Sequence, residues 1–281
     1  MMLLNATQHA EFSEQGYLLL EDLIPDEIFE PVIADIEQGI ERGALEASEE
    51  HGTRNTFAAE PFDRRLALVE EAFGEAANVG RHVLYKSLKT AGMFGLMTHP
   101  GLLDLVESII GPEILSHPQF NCQAKMPGEE ISKVRWHQDL VYLDADAEET
   151  PMVNLWIPLV DATEANGCLE VISGSHRTGL KPHGRLGATG KRDISDEDLP
   201  SVSVAVCPVR RGGAILFHPR LIHRSGPNRS EKIRWSIDIR YSDADQPTGR
   251  ESVSGFLARS RRRATEVAAT HLDWLRLMEQ A

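Results

Sequence analysis

In the apolar run Val134-Arg135-Trp136-His137-Gln138-Asp139-Leu140, an imidazole and a carboxylate stand two residues apart. On an extended backbone alternate side chains face the same way, so His137 and Asp139 are expected to project together from one strand. Such a pair alone is weak evidence, because it arises by chance on many strands and loops. Far downstream, however, comes Phe217-His218-Pro219-Arg220-Leu221-Ile222-His223-Arg224-Ser225-Gly226, and eleven residues beyond His223 stands Arg234 in the strand-like run Ile233-Arg234-Trp235-Ser236-Ile237-Asp238-Ile239. Two histidines and one carboxylate, with the third ligand remote, is the composition of the facial triad that holds non-haem Fe(II) and leaves three coordination positions open.

Such ligands need a scaffold, and the chain divides into two kinds of pattern. In the front part, Phe12 to Ile24 reads as a short helix leading into the strand-like Gly16-Tyr17-Leu18-Leu19-Leu20. Pro25-Asp26 then opens a helix with Ile28, Val32, Ile33, Ile36 and Ile40 on one face. Glu46 to Ala58 is polar and unpatterned and is expected to be a loop over a site. Arg64 to Ala76 and Val83 to Met97 look helical, and Pro100 starts a helix through Ile110 that Gly111-Pro112 stops.

The character then changes. Ile114 to Met126, Ser132 to Leu143, Met152 to Val160, Cys168 to Ile172, Val202 to Val209, Ala214 to Phe217 and Lys232 to Tyr241 are short strand-type runs punctuated by Gly, Pro, Asn and Asp. The pattern predicts a mainly β protein with flanking helices, its core a sandwich or barrel such as a jelly roll, whose mouth suits a small-molecule site. We expect one domain over 1–281, with a mostly helical part at 1–112, the jelly-roll core at 113–245 and a helical tail at 246–281. In the tail, Ala264 to Gln280 is amphipathic, with Val267, His271, Trp274, Leu275 and Met278 on one side. The preceding Arg259-Ser260-Arg261-Arg262-Arg263 reads as a solvated turn balancing acidic surface, rather than as an anion patch.

Composition excludes several classes. A formal charge of −14 argues against a general nucleic-acid or membrane-surface binder, both of which need basic surface. Cys122, Cys168 and Cys207 are widely spaced and form no C-x-x-C pair, so reduced, buried thiols are expected. The first residues, lacking a basic region and an apolar stretch of signal length, are not expected to be a signal segment, and no run approaches the roughly 20 apolar residues of a membrane span. The expected compartment is the cytoplasm.

With its context in place, the chain resembles the phytanoyl-CoA dioxygenase family of Fe(II)- and 2-oxoglutarate-dependent oxygenases. The resemblance runs from about Pro100 to Asp245. It is carried by His137-Gln138-Asp139-Leu140-Val141-Tyr142, Trp156, Asn166 to His176, Leu180-Lys181-Pro182-His183, Phe217-His218-Pro219, and His223-Arg224-Ser225-Gly226 with Arg234 beyond. It implies a double-stranded β-helix, or cupin-like, fold with His137, Asp139 and His223 as iron ligands. Arg234 would pair with the distal carboxylate of 2-oxoglutarate, Ser225 would add a hydroxyl, and Trp156 would lie beside the cosubstrate or serve core packing. A planar guanidinium suits that role, since it can grip a carboxylate bidentately. A further polar contact is expected from Gln123, with Lys125 as the alternative; Lys86 and Lys89 do not match the spacing of a lysine that relatives use.

Among eleven histidines, His218 is the nearest rival for the third ligand. The serine two residues and the arginine eleven residues further on favour His223, leaving His218 a structural hydrogen bond. His176 reads as turn chemistry. His183, with Lys181, Arg185, Lys191 and Arg192, makes a locally basic segment that either meets an anionic substrate or is a solvated loop.

The resemblance further implies O2 as co-reactant, succinate and CO2 as products, and ascorbate as a useful additive in vitro. Asp139 points to oxygenation, because halogenating relatives carry a small residue there. Hydroxylation of a small organic molecule is the expected reaction, with a free metabolite preferred to a CoA thioester. The segments 46–58, 144–149 and 184–200 are placed to form a mouth. Two other readings stand beside it: a cupin-like isomerase or hydrolase using the same ligands with zinc or manganese, and a non-catalytic barrel.

Overall fold

From Met152 to Pro158 every residue is buried, although Asn154 alternates with Val153 and Leu155. A strand covered on both faces belongs between two packed layers. The computed structural model of the protein describes residues 3–51, 55–74, 78–130, 135–184, 192–250, 253 and 255–279. In it this run is β4 of an antiparallel sheet with the order β1-β7-β4-β9-β2-β10, in which β3 also pairs with β9. Its strands are β1 (Tyr17–Leu20), β2 (Ile114–Ser116), β3 (Asn121–Lys125), β4 (Met152–Pro158), β7 (Ala214–Phe217), β9 (Arg234–Asp243) and β10 (Phe256–Arg259). A smaller antiparallel sheet, β6-β5-β8, comprises β5 (Leu169–Ile172), β6 (Val204–Cys207) and β8 (His223–Ser225).

The helices cover one face of the larger sheet. They are α1 (Ala6–Gln15), α2 (Asp26–His51), α3 (Phe62–Phe73), α4 (Ala91–Met97), α5 (Pro100–Ile110) and α6 (His271–Glu279). Phe29, Val32, Ile36 and Ile40 of α2 share a core with Val153, Leu155 and Ile157 of β4 and with Trp235, Ile237, Ile239 and Tyr241 of β9. Trp235 stacks on Phe62 at 5.2 Å, and the Tyr241 hydroxyl donates to the Met97 carbonyl at 2.7 Å. The opposite face of the same strands turns Trp156, Ile215 and Phe217 toward Leu169, Val171, Cys207 and Leu221. The site lies between the two sheets.

Several elements differ from the sequence expectation. Helix α2 runs on to His51 where a loop is expected from Glu46, because the small buried residues Ala44 and Ala47 continue its apolar face. Residues 52–54 lie outside the described residues. Between Val83 and Met97 only Ala91–Met97 is α-helical. Tyr85 adopts φ 57°, which a right-handed helix cannot hold, and bridges to Cys122.

The run Ile114 to Met126 is two strands laid end to end along β9 and broken around Pro118, whose ring nitrogen has no proton for the ladder. The described part of Ser132 to Leu143 holds no strand: His137 makes one isolated bridge to His223, and Asp139–Tyr142 is a 3-10 turn. The tail contributes the unexpected β10, paired with β2, and its helix begins only at His271. The basic turn is neutralised, with Arg259 on Asp104 and Glu107, Arg261 on Glu107, and Arg262 and Arg263 on Asp245. Cys122, Cys168 and Cys207 are free and buried, as expected. Among the described residues no helix is long and apolar enough to cross a membrane.

Because β9 is wedged between helices and site, its outer face should dominate stability. Trp235 is fully buried, and Trp235→Ala is expected to cost about 3–5 kcal/mol by urea denaturation, from lost transfer energy and the cavity left behind. A loss under about 1 kcal/mol would mean that the helical layer does not brace this strand.

Candidate metal and cosubstrate site

Gln138 is extended, at φ −119° and ψ 131°, so His137 and Asp139 do project to one side although no strand contains them. What replaces a ladder is the Gln138 side chain, which points the other way and is fully buried. Its amide donates to the carbonyls of Arg220 at 2.6 Å and Gly179 at 3.0 Å, and its oxygen accepts from the Lys181 N–H at 2.7 Å. The His183 ring accepts from the Gln138 N–H at 3.1 Å. On the other side His137 and His223 exchange backbone hydrogen bonds, which binds the segment to β8.

One ligand atom each from His137, Asp139 and His223 fall within 4.8 Å of one another. The Nδ1 of His137 lies 2.8 Å from the Arg135 carbonyl, and the Nδ1 of His223 lies 3.0 Å from the Leu221 carbonyl. A carbonyl only accepts, so Nδ1 carries the proton in both rings and both Nε2 lone pairs are left for a cation. Those Nε2 atoms sit 3.6 Å and 4.0 Å from the Asp139 carboxylate. Burial, and next the neighbouring His137, push the His223 imidazole down to about 4, so it is neutral near pH 7. Burial works against ionising Asp139, but its surroundings, His137 first and then His223 and the Arg240 guanidinium, outweigh it and hold the carboxyl below its ordinary range.

Asp139 is itself oriented. Its Oδ2 accepts from the Asn154 amide and lies 3.5 Å from Arg240 Nη2, while Arg240 Nε donates to Asn154 Oδ1 at 3.1 Å. The other carboxylate oxygen is left for a cation. Two imidazole Nε2 atoms and one such carboxylate are a donor set suited to a first-row divalent metal with open positions.

The inner face of β9 carries Arg234, Ser236, Asp238 and Arg240. Arg234 is 2 % exposed, its Nη1 donates to Ser236 Oγ at 2.7 Å, and its Nη2 donates to Ser225 Oγ at 3.0 Å. Its guanidinium carbon lies 5.0 Å from the centre of the Trp156 ring. Arg234 Nε has no partner, and no carboxylate makes an ion pair with this guanidinium, among the described residues. Burial lowers its pKa to about 10, so it remains cationic at neutral pH. A buried cation without a counter-ion fits a carboxylate ligand.

Arg234, Ser225 and Trp156 thus converge. Gln123 lies on the same inner wall and donates to Asp238, while Lys125 pairs with Arg234 across the strands and has its Nζ 3.7 Å from Glu129. Gly167 closes in at φ +83°, and a Cβ there would meet the Gly226 carbonyl at 2.5 Å and Lys125 Cε at 2.8 Å. His218 and His176 stay out of the cluster: His218 Nδ1 accepts from the Arg220 N–H at 3.0 Å, and His176 Nε2 lies 3.1 Å from the Ser13 carbonyl. Residues 185–191 of the basic segment lie outside the described residues. Sequence reasoning missed Gln138, Asn154, Ser236, Asp238 and Arg240. The available signal was the alternation Arg-Trp-Ser-Ile-Asp-Ile-Arg-Tyr, polar residues at every second place of a fully covered strand.

A jelly-roll pair of sheets enclosing a two-histidine, one-carboxylate cluster and a buried arginine defines a non-haem iron, 2-oxoglutarate-type oxygenase centre. The family model described as Phytanoyl-CoA dioxygenase (PhyH) matches residues 12–236, and the chain belongs to that family. The human peroxisomal phytanoyl-CoA dioxygenase is 25 % identical over 252 residues, covering 86 % of this chain and 69 % of that protein. Among solved structures, the non-heme monooxygenase ThoJ in its apo form has a TM-score of 0.64 at 21 % identity, covering 97 % of this chain and 93 % of the other. EctD from S. alaskensis with 2-oxoglutarate and 5-hydroxyectoine has a TM-score of 0.55 at 20 % identity, covering 94 % and 87 %. These structures share the fold. The chain is a 2-oxoglutarate-dependent dioxygenase family enzyme using iron and 2-oxoglutarate, which sets aside the cosubstrate-free metal enzyme and the non-catalytic barrel.

Second-layer groups that orient metal ligands are typically worth about 10–100-fold in affinity. Asn154→Ala and Arg240→Met are therefore each expected to weaken cobalt(II) binding by about that factor in an anaerobic visible-absorption titration. Unchanged affinity in both would show that the Asp139 carboxylate is oriented without them.

Proposed function

We propose that the protein hydroxylates a C–H bond of a small organic molecule, with His137, Asp139 and His223 holding the iron and Arg234, Ser225, Ser236 and Trp156 holding 2-oxoglutarate. The observation that carries this is the pairing of two elements between the sheets: a trio of donor atoms within 4.8 Å of one another, and a buried guanidinium held by two hydroxyls with no acid in an ion pair among the described residues. The first fits the metal and the second fits a dicarboxylic acid.

When bound, iron with 2-oxoglutarate supplies oxidising power from O2: one oxygen atom enters the substrate C–H bond, the other enters succinate, and CO2 leaves. The protein's own residues set the stage for this. The carbonyls of Arg135 and Leu221 fix which nitrogen of each imidazole faces the metal, and Asn154 and Arg240 fix the Asp139 carboxylate. Arg234, braced by the hydroxyls of Ser225 and Ser236, grips the far carboxylate of the cosubstrate, and the Trp156 ring walls its chain from water. Gln123 lines the same wall. Asp139 favours oxygenation over halogenation because a carboxylate fills the position that a halide would need.

The substrate is read as a free metabolite. The related proteins' own names point to unlike molecules, phytanoyl-CoA and 5-hydroxyectoine, so specificity rests on the segments around the mouth.

With Fe(II), ascorbate and O2, the purified protein should convert 2-oxoglutarate to succinate slowly even without its substrate. His137→Ala, Asp139→Ala and His223→Ala should each abolish this, whereas Arg234→Ala should raise the 2-oxoglutarate KM by at least about tenfold, the loss of one charge-assisted interaction of about 1.5–3 kcal/mol. Succinate release that survives in all three ligand variants would overturn the assignment.

A further inference from the structure

The loop 247–250 is strapped against the turn that follows Asp139. The Thr150 hydroxyl donates to the Pro247 carbonyl at 2.7 Å, His117 Nε2 donates to the Thr248 carbonyl at 2.8 Å, and the Asp144 N–H donates to the Gly249 carbonyl at 3.1 Å. Gly249, at φ +66°, packs so closely that a Cβ would stand 2.8 Å from Leu143 Cβ and 2.9 Å from Ala147 Cβ. These contacts fix the backbone of Arg250. Its Nη2 donates to the Tyr142 carbonyl, and its Nε is buried without a partner among the described residues.

Arg250 faces Arg240, which is only 6 % exposed and also has an atom to spare. Arg240 Nη2 lies against Asp139 and its Nε on Asn154, but Nη1 has no partner among the described residues. Two places further along the same face of β9, the buried Ser242 hydroxyl is unpartnered as well. Lys86, half-buried ahead of α4, joins them: burial, and next the guanidiniums of Arg250 and Arg240, lower its ammonium from the ordinary value. His117 brings no charge, since its Nε2 proton is on Thr248 and its Nδ1 accepts from the Gln119 N–H at 3.1 Å. The acids facing Arg240 are Asp139 and Asp238. Neither Arg250 nor Lys86 makes an ion pair with an acid among the described residues. Buried donors left this way carry a cost that an oxyanion would remove.

The cosubstrate does not account for this cluster. Arg234 and Arg240 are six residues apart on β9, roughly 20 Å along an extended strand, and it is Arg240 that touches the ligand Asp139. A diacid reaching from the metal to Arg234 leads away from Arg250. Nor does it exhaust the charge. Arg234, Arg240, Arg250 and a divalent cation carry five positive charges, against four negative ones from Asp139, Asp238 and the diacid, even with Asp238 ionised and Lys86 left out; Lys125 and Glu129 offset each other. The loaded site still attracts an anion.

We propose that the substrate is itself an anion, its carboxylate or phosphate group held between Arg240 and Arg250 on the side of the metal ligands away from Arg234. This deepens the hydroxylase reading of the preceding section and rests on it. An anchor at a fixed offset from the metal decides which C–H bond of the substrate is presented, which is how a positioned charge contributes to rate. Arg250 and Lys86 are partly exposed, so the anchor can be reached from solvent.

The test uses the full chain loaded with Mn(II) and saturating 2-oxoglutarate, and reads the nuclear relaxation that Mn(II) imposes on small probes. The probes are methyl phosphate and carboxyl-labelled acetate, with trimethyl phosphate and acetamide as their uncharged counterparts. At least one anion should give a saturable enhancement, binding about tenfold or more tightly than its counterpart; the tighter of the two says whether the substrate is a phosphate ester or a carboxylic acid. Arg250→Gln should weaken that anion by about tenfold or more, and Arg250→Lys, which keeps the charge, should recover part of the loss. If neither anion outbinds its uncharged counterpart, or if Arg250→Gln binds it as wild type does, the inference is overturned while the cosubstrate reading stands. Calorimetry of the loading step separates the two: a Mn(II)-loaded chain that takes up no 2-oxoglutarate sinks both.

Discussion

The site depends on β9 being covered on both faces. Its outer residues, Trp235, Ile237, Ile239 and Tyr241, are locked into the helical layer, so its inner residues have no freedom to turn toward water. Any polar group there must find a partner inside the protein or be matched by a ligand. Arg240 finds Asp139 and Asn154; Asp238 finds Gln123; Arg234 finds two hydroxyls but no acid among the described residues. The helical front part, which contributes none of the proposed ligands, is thus what makes an unmatched guanidinium a binding element and not a solvated side chain.

Precision at the metal cluster has a different origin. His223 belongs to a strand, but His137 and Asp139 sit in irregular backbone that a regular ladder would not hold. Gln138 supplies the missing constraint through hydrogen bonds to Gly179, Lys181 and Arg220. The Nδ1 bonds to Arg135 and Leu221 and the Asn154 bond to Asp139 are made between groups of the protein itself. Donors held this way consume less of a cation's binding energy in being ordered.

The candidate ligands, Ser225 and Arg234 stood out in the sequence through residue type, spacing and the family resemblance, and the structure brings them together; the strands were legible because alternation survives in sequence. The supporting layer was not. Asn154 and Gln138 matter through partners 15 and 82 residues away, and no local pattern encodes such a pairing. The expected strand at His137 failed for a related reason: extended dihedrals over three residues satisfy the spacing argument without a strand around them. Tyr85 shows the converse, where a helical apolar pattern yields to one left-handed residue. The polar alternation on β9 could have been read, since Arg, Ser, Asp and Arg at every second place of an otherwise apolar strand mark an interior polar wall, but it needed the outer face to be known as buried.

Charge along that wall favours binding both ligands together. Two guanidiniums, Arg234 and Arg240, stand against two carboxyls, Asp139 and Asp238, and with both acids ionised the wall is close to neutral. Bringing in a divalent cation alone leaves two positive charges in a low-dielectric space, and a dianion alone leaves two negative ones; either is costly. Together they cancel. Each ligand therefore lowers the electrostatic cost of the other, a coupling that must be reciprocal, and it arises from the alternation of charge on one strand without any change of backbone shape.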